Sequence, residues 1–310
     1  MEQTSDADPD LLVVLGATAS GKTSLAVALA RTLQTEIISA DSRQVYQGMD
    51  IGTGKDLHEY GEIPVHLIDR VRPDQEYNVF AYQRDFLQVY QPFKEAGNCP
   101  LLVGGSGLYL DAVIAGYQFS TVPENPELRQ QLQPLNDDAL RQMVCEVIPS
   151  HHNQSDLQHR VRMIRAIEIA LYQKENASQM AVWPVQAPLI VGVSWPRDQL
   201  RKRITQRLKQ RLEQGMIDEV KGLVENGISY ERLDYFGLEY RFVGAYLLGK
   251  MGYNDFYQRL NSAIHQFAKR QDTWFRRMER SGQVIHWVRG GESAVEDALE
   301  VLRRESCLVK

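Results

Sequence analysis

The stretch LLVVLGATASGKTSLAVALA, residues 11–30, decides the fold. Its opening run, Leu11 to Leu15, is wholly apolar and ends at Gly16, the pattern of a parallel strand buried on both faces. Its closing part predicts a helix over 22–33, with Leu25, Ala26, Ala28, Leu29 and Leu33 forming one apolar stripe. Between them, Gly16-Ala17-Thr18-Ala19-Ser20-Gly21-Lys22-Thr23 matches G-x-x-x-x-G-K-[ST] in the strand–loop–helix setting this motif requires. Glycines let the backbone bend until successive N–H groups face one anion, and the helix N-terminus adds the positive end of its dipole. Lys22 neutralises terminal phosphate charge, and the Thr23 hydroxyl is placed to ligate Mg²⁺. A glycine-rich turn before an ordinary helix is the plainer reading, but it leaves the complete motif unexplained. The motif specifies phosphate and not a reaction, because unrelated chemistries share this fold.

Working outward, TEIISAD (35–41), IPVHLID (63–69) and CPLLVGGSG (99–107) read as further short strands, separated by helical or turn-rich pieces. Strand and helix alternating in this order predict an α/β fold, a P-loop NTPase-like parallel sheet flanked by helices. The character changes near residue 120, where STVPENPEL carries two prolines and helical spacing follows to about residue 175. Strand composition returns at APLIVGVSW (187–195), and 199–280 is again mostly helical. The expected organisation is an α/β core made of 1–119 and 187–310, interrupted by a helical insertion over 120–186.

Of the 310 residues, 43% are hydrophobic and 24% charged, which supports a packed core and argues against disorder. A net charge of −5 argues against indiscriminate polyanion binding, although a local basic face remains compatible with it. Cys99, Cys145 and Cys307 form no C-x-x-C pair, so neither a zinc knuckle nor a disulfide framework is expected, in keeping with a reducing compartment. The N-terminus MEQTSDADPD lacks the basic region and apolar core of a signal peptide. No apolar run reaches the length of a membrane span. These features lead us to expect a cytoplasmic protein without membrane contact; a monomer is expected, although the features themselves do not set the oligomeric state.

The segment ISADSRQVYQGMDIGTGK (38–55) discriminates between functions. Asp41 falls at the carboxyl end of a predicted strand, where open α/β sheets place their ligand crevice. It could hold Mg²⁺ or simply cap a turn. Yet Asp41-Ser42-Arg43-Gln44 with Tyr46 supplies a base, a cation, an amide and an aromatic ring in one loop, which suits grasping a second substrate.

GATASGKTSLA, IISADSRQVYQGMDIGT, VHLID, GGSGLYLDAV and AKRQDTWFRR occur in this order. Together they resemble the tRNA dimethylallyltransferase (tRNA isopentenyltransferase) family, from about Leu11 to about Arg277. DSRQVY combined with AKRQ-x-TWFR is far more specific than the phosphate loop alone. The resemblance implies transfer of a five-carbon prenyl group from dimethylallyl diphosphate to N6 of adenine 37 in the tRNA anticodon loop, with the insertion helping to clasp the anticodon stem-loop. It implies that residues 16–23 hold the donor diphosphate, which departs without any phosphoryl transfer. Asp41 becomes the general base, and Arg207, in RITQRLKQR, a diphosphate contact. Ser106 replaces the family's usual Thr, and its hydroxyl can still bond the diphosphate or Asp41.

An adenine inside a folded loop must be unstacked before its N6 is reached. Ser42, Arg43 and Gln44 are candidate base contacts beside Asp41. Basic residues gather in HRVRMIR, with Arg160, Arg162 and Arg165, in RKRITQRLKQR, and in AKRQDTWFRRMER, with Lys269 and Arg270. Each cluster alone could be a solvated helix face; three together on an acidic chain favour a phosphate-tracking groove. Trp274 and Phe275 read as packing residues, and the His-rich 151–160 segment as polar loop surface rather than a metal site.

Some positions depart from the family pattern: Ala17 stands for Pro, Val65 for a first His, and Glu239 for Gly before an aligned Tyr240-Arg241, where Arg241 is a candidate RNA contact. A small-molecule kinase, an adenylate isopentenyltransferase acting on AMP, and a non-catalytic nucleic-acid-binding P-loop protein are the competing readings. The first leaves DSRQVY unexplained, the second the insertion and basic segments, and the third Asp41.

Overall fold

The computed structural model describes residues 8–116, 122, 124–148, 156–175 and 183–308. The first seven residues of the acidic N-terminal segment, and 151–155 of the His-rich segment, lie outside the described residues. Among the described residues no helix is long and apolar enough to cross a membrane.

The chain packs as two compact units, Met1–Gly116 with Val185–Lys310, and Tyr117–Pro184. The first unit is built on six parallel strands: β1 (Leu11–Gly16), β2 (Ile37–Ala40), β3 (Val65–His66), β4 (Leu101–Gly104), β5 (Pro188–Ser194) and β6 (Ile285–Arg289). Their order across the sheet is β3-β2-β4-β1-β5-β6. In the central strand β1, every residue from Leu11 to Leu15 is fully buried, because both faces of the sheet are covered. Side chains alternate between the faces. Leu12 and Val14 of β1, with Leu101, Val103 and Val191, form a core with helices α1 (Lys22–Leu33) and α12 (Ala294–Glu305). Besides α1, helices α2 (Val79–Glu95), α3 (Gly107–Ile114), α7 (Arg197–Glu213) and α11 (Tyr253–Arg280) bear on the site. Between α7 and α11 lie α8 (Met216–Glu225), α9 (Tyr230–Tyr235) and α10 (Leu238–Leu247).

Helix α1 begins and ends where the sequence predicts. The strand expected over 63–69 contracts to Val65–His66, because Leu67 and Asp69 take positive φ of 64° and 53° and turn the chain out of the sheet. Strand β6 is not among those the sequence predicts. It extends the sheet by pairing Ile190 with Ile285 and Val193 with Val288.

The second unit contains α4 (Pro126–Leu132), α5 (Asp137–Val147) and α6 (Arg160–Glu175). Their apolar faces meet at Leu132, Leu140, Val144, Met163 and Ile167. Glu168 is buried beneath them and takes hydrogen bonds from Arg129, Arg165 and the Asn125 N–H at 2.8, 2.9 and 2.9 Å. Burial opposes its ionisation, but these donors outweigh that cost and hold its pKa at about 2.

Candidate active site

The phosphate loop leaves β1 at Gly16, where a Cβ would stand 2.6 Å from Ser20 Oγ and 3.1 Å from the Val193 carbonyl, so only glycine fits. Gly21 enters α1 with φ of 88°, the left-handed conformation that glycine adopts without strain. The helix ladder starts at Leu25, whose N–H bonds the Gly21 carbonyl, leaving the Lys22, Thr23 and Ser24 N–H groups outside it. From behind, Trp195 Nε1 donates to the Ser20 carbonyl at 2.7 Å and Arg203 Nε to the Ala19 carbonyl at 2.8 Å. Thr18, expected to offer its N–H to an anion, gives it to Gln271 Oε1 at 2.8 Å.

Asp41 follows β2 directly. Its Oδ1 accepts the Arg43 N–H at 2.8 Å and the Gln44 N–H at 3.4 Å, so the turn-capping reading holds for this oxygen while the residue also lines the cavity. Ser106 Oγ accepts the Ser42 N–H at 3.0 Å; its hydroxyl bonds the loop beside Asp41 rather than Asp41 itself. Gln44 is less available than the sequence suggests. Its amide donates to the Gly54 carbonyl at 3.0 Å and its oxygen accepts from Ser39 Oγ at 3.2 Å. Arg43 lies over the Tyr235 ring at 5.0 Å, and Arg232 over the same ring at 4.6 Å.

Arg203, Arg207 and Arg211 repeat every fourth residue on α7 and so share a face. Arg207 pairs with Asp56. Arg211, in the sequence one more member of a basic RNA-groove segment, is 7% exposed and donates to the Gly52 carbonyl at 3.2 Å, with Glu239 3.5 Å away. Burial and the neighbouring Arg207 lower its pKa to about 10. Lys22 falls to about 8, by desolvation first and then by repulsion from Arg207 and Arg211, with Asp41 and Asp56 opposing the shift. Burial raises the pKa of Glu239 despite Arg211 beside it.

Lys22, Asp41, Gln44, Ser106, Arg207, Arg211 and Glu239 meet in one cavity of about 750 Å³. Lys22, Asp41, Ser106, Arg207 and Arg211 supply its polar wall, and Tyr77, Tyr109, Phe236 and Trp274 an aromatic one. A second, more polar cavity of about 550 Å³ shares Lys22, Thr23, Arg207 and Arg211. Phe275 is core, as expected, whereas Trp274 stands in the cavity wall with Nε1 bonded to Asp111 Oδ2 at 2.9 Å. No cluster of three His, Cys, Asp or Glu suited to a metal occurs among the described residues. Thr23, at the start of α1, lines both cavities and offers a hydroxyl oxygen, the donor type that Mg²⁺ takes beside phosphate oxygens.

The candidate RNA residues separate. Arg270 lines the large cavity; Lys269 and Arg241 are exposed outside it. In the second unit Arg162 is exposed, whereas Arg165 is engaged by Glu168 and by the Val122 carbonyl at 2.7 Å. Sequence reasoning missed Asp56, Gln271 and the placement of Arg211. The four-residue spacing of the α7 arginines was the available signal for the last.

A phosphate loop at the carboxyl edge of a parallel sheet, opening on a cavity that also holds Asp41, places the chain among P-loop enzymes. The model of the IPP transferase family matches residues 44–278, and that of the isopentenyl transferases residues 9–70. A tRNA dimethylallyltransferase 2 of Trichlorobacter lovleyi is 55% identical over 94% of this chain and 96% of that protein. A tRNA dimethylallyltransferase 1 of Geotalea uraniireducens is 56% identical over 95% and 97%. The solved tRNA isopentenylpyrophosphate transferase of Bacillus halodurans superposes with a TM-score of 0.69 at 30% identity, covering 97% of this chain and 99% of that one. This chain belongs to the IPP transferase family.

Proposed function

We propose that the chain is a tRNA dimethylallyltransferase, moving the prenyl group of dimethylallyl diphosphate onto N6 of adenine 37 in the tRNA anticodon loop. The observation that carries this reading is the shared cavity, in which the Asp41 carboxylate, the cations Lys22, Arg207 and Arg211 and an aromatic wall surround one space.

Breaking the allylic C–O bond leaves its electron pair on the diphosphate. The N–H groups at the start of α1, with Lys22, Arg207 and Arg211, stabilise that growing charge. Mg²⁺ held by Thr23 would add neutralisation at the same oxygens. The N6 lone pair forms the new C–N bond while Asp41 takes the N6 proton. Diphosphate is released and no phosphoryl group moves. Arg43 and Arg270 contact the loop bases, and Arg162, Arg241 and Lys269 the RNA phosphates. The enzyme works as a monomer in the cytoplasm.

The test is incubation with labelled dimethylallyl diphosphate plus unmodified tRNA, AMP or ATP. Label in tRNA alone is expected, lost when adenine 37 is replaced. Label in AMP would make the chain an adenylate isopentenyltransferase.

A further inference from the structure

Glu219, on the first turn of α8, lines neither cavity, yet its carboxylate collects four hydrogen bonds. Oε2 accepts the N–H of Asp50 at 2.8 Å and of Ile51 at 2.6 Å. Oε1 accepts the N–H of Gly52 at 3.0 Å and the Tyr240 hydroxyl at 2.8 Å. Successive peptide N–H groups converging on an anion form a nest of the kind that receives phosphate. Here a side chain fills it.

The carbonyls of the same loop serve the donor site. Gly52 O accepts from Arg211 at 3.2 Å, and Gly54 O from Gln44 at 3.0 Å and Arg207 at 3.4 Å. There is no slack in this arrangement. A Cβ on Gly52 would meet the Tyr240 ring at 2.6 Å, and one on Gly54 would collide with Arg211. Lys55 anchors the end of the loop, buried against Asp50, Asp69 and the Tyr46 carbonyl.

Lys22, Arg207 and Arg211 repel one another, and although Asp41, Asp56 and Glu239 offset part of that repulsion, the surrounding structure must also hold the cations in place. We propose that Glu219 is a positioning residue of the donor site: by locking the peptides of 50–52 it aims the Gly52 and Gly54 carbonyls at Arg211 and Arg207 and presents both guanidiniums to the diphosphate. The role rests on the reading of the phosphate loop as the diphosphate site.

The experiment is calorimetric titration of the full chain with Mg²⁺ and inorganic pyrophosphate, beside binding of an anticodon stem-loop RNA. Glu219→Gln keeps the shape but turns an NH₂ toward N–H donors. It should weaken pyrophosphate binding about tenfold or more, the scale for losing charged hydrogen bonds, with RNA affinity and the KM for RNA unchanged. Tyr240→Phe removes one donor and keeps the charge; a loss of about two- to tenfold for pyrophosphate alone is expected, and this variant decides the matter if Glu219→Gln does not fold. Wild-type affinity for pyrophosphate in the folded variants, or equal losses for pyrophosphate and RNA, would overturn the role. Failure of the wild-type chain to bind pyrophosphate would instead overturn the donor-site reading.

Discussion

Gln271 accepts the Thr18 N–H at 2.8 Å and donates its own amide to the Gly105 carbonyl at 2.9 Å. One buried side chain on α11 thus ties the phosphate loop to the loop that carries Ser106. Ser106 in turn holds the Ser42 N–H beside Asp41. The phosphate loop, the loop of Asp41 and the helix bearing Lys269 and Arg270 are therefore parts of one hydrogen-bonded chain.

Gln271→Glu tests that chain. The carboxylate can still accept from Thr18 but faces the Gly105 carbonyl without a proton to share, and adds negative charge near the diphosphate site. Donor kcat/KM should fall roughly 10–100-fold, as expected for one lost buried hydrogen bond with an uncompensated acceptor. Steady-state kinetics at saturating RNA would show it, and unchanged donor kcat/KM would mean the bridge has no part in donor use.

Asp41→Asn keeps the turn, since an amide oxygen can still accept the Arg43 N–H, but removes the proton acceptor. Single-turnover prenyl transfer should drop about 10²–10⁴-fold, with donor and RNA affinity within a few-fold. Rescue by excess Mg²⁺, or near-normal transfer with both substrates saturating, would exclude the base role.

Lys22 sets a limit at high pH. Its pKa is lowered to about 8, chiefly by desolvation, so the ammonium is present below that pH and is lost above it. Donor kcat/KM should hold up to about pH 8 and decline beyond it. Lys22→Arg retains its charge across this range and should abolish that decline even if its plateau is lower. A wild-type profile flat to pH 9.5 would contradict the lowered pKa.

The two insertion arginines should behave differently. Arg162→Ala should flatten the dependence of log affinity for tRNA on log salt, by slightly under one unit for each phosphate that Arg162 neutralises. Arg165→Ala removes a donor from the buried Glu168 carboxylate and should loosen the insertion, visible as faster proteolysis within 124–175. Equal salt slopes for wild type and Arg162→Ala would place Arg162 outside the RNA interface.

Glu168 also gives the second unit its acid sensitivity. Its folded pKa lies below its ordinary 4.5, so its stabilising contribution is complete above that ordinary value and disappears as pH falls through about 2. Hydrogen-exchange protection in α4 and α6, relative to the unfolded chain at each pH, should fall over that window in the wild type and lose this pH dependence in Glu168→Gln.

Local sequence carries what neighbouring residues can specify. The phosphate loop, the limits of α1 and the place of Asp41 after β2 were legible because glycine conformations, apolar periodicity and strand–loop–helix order act within about twenty residues. Tertiary structure decided the rest. Val65 and His66 are all that remains of a longer apolar run because the chain turns at Leu67, and β6 became a strand by pairing with β5, nearly a hundred positions earlier in the chain. Arg211 and Arg165 look like other surface arginines in the sequence; only packing buries one beside Gly52 and engages the other with Glu168. The bond between Thr18 and Gln271 spans 253 positions. No local signal encodes such a pairing, because its energy exists only after folding has removed both groups from water.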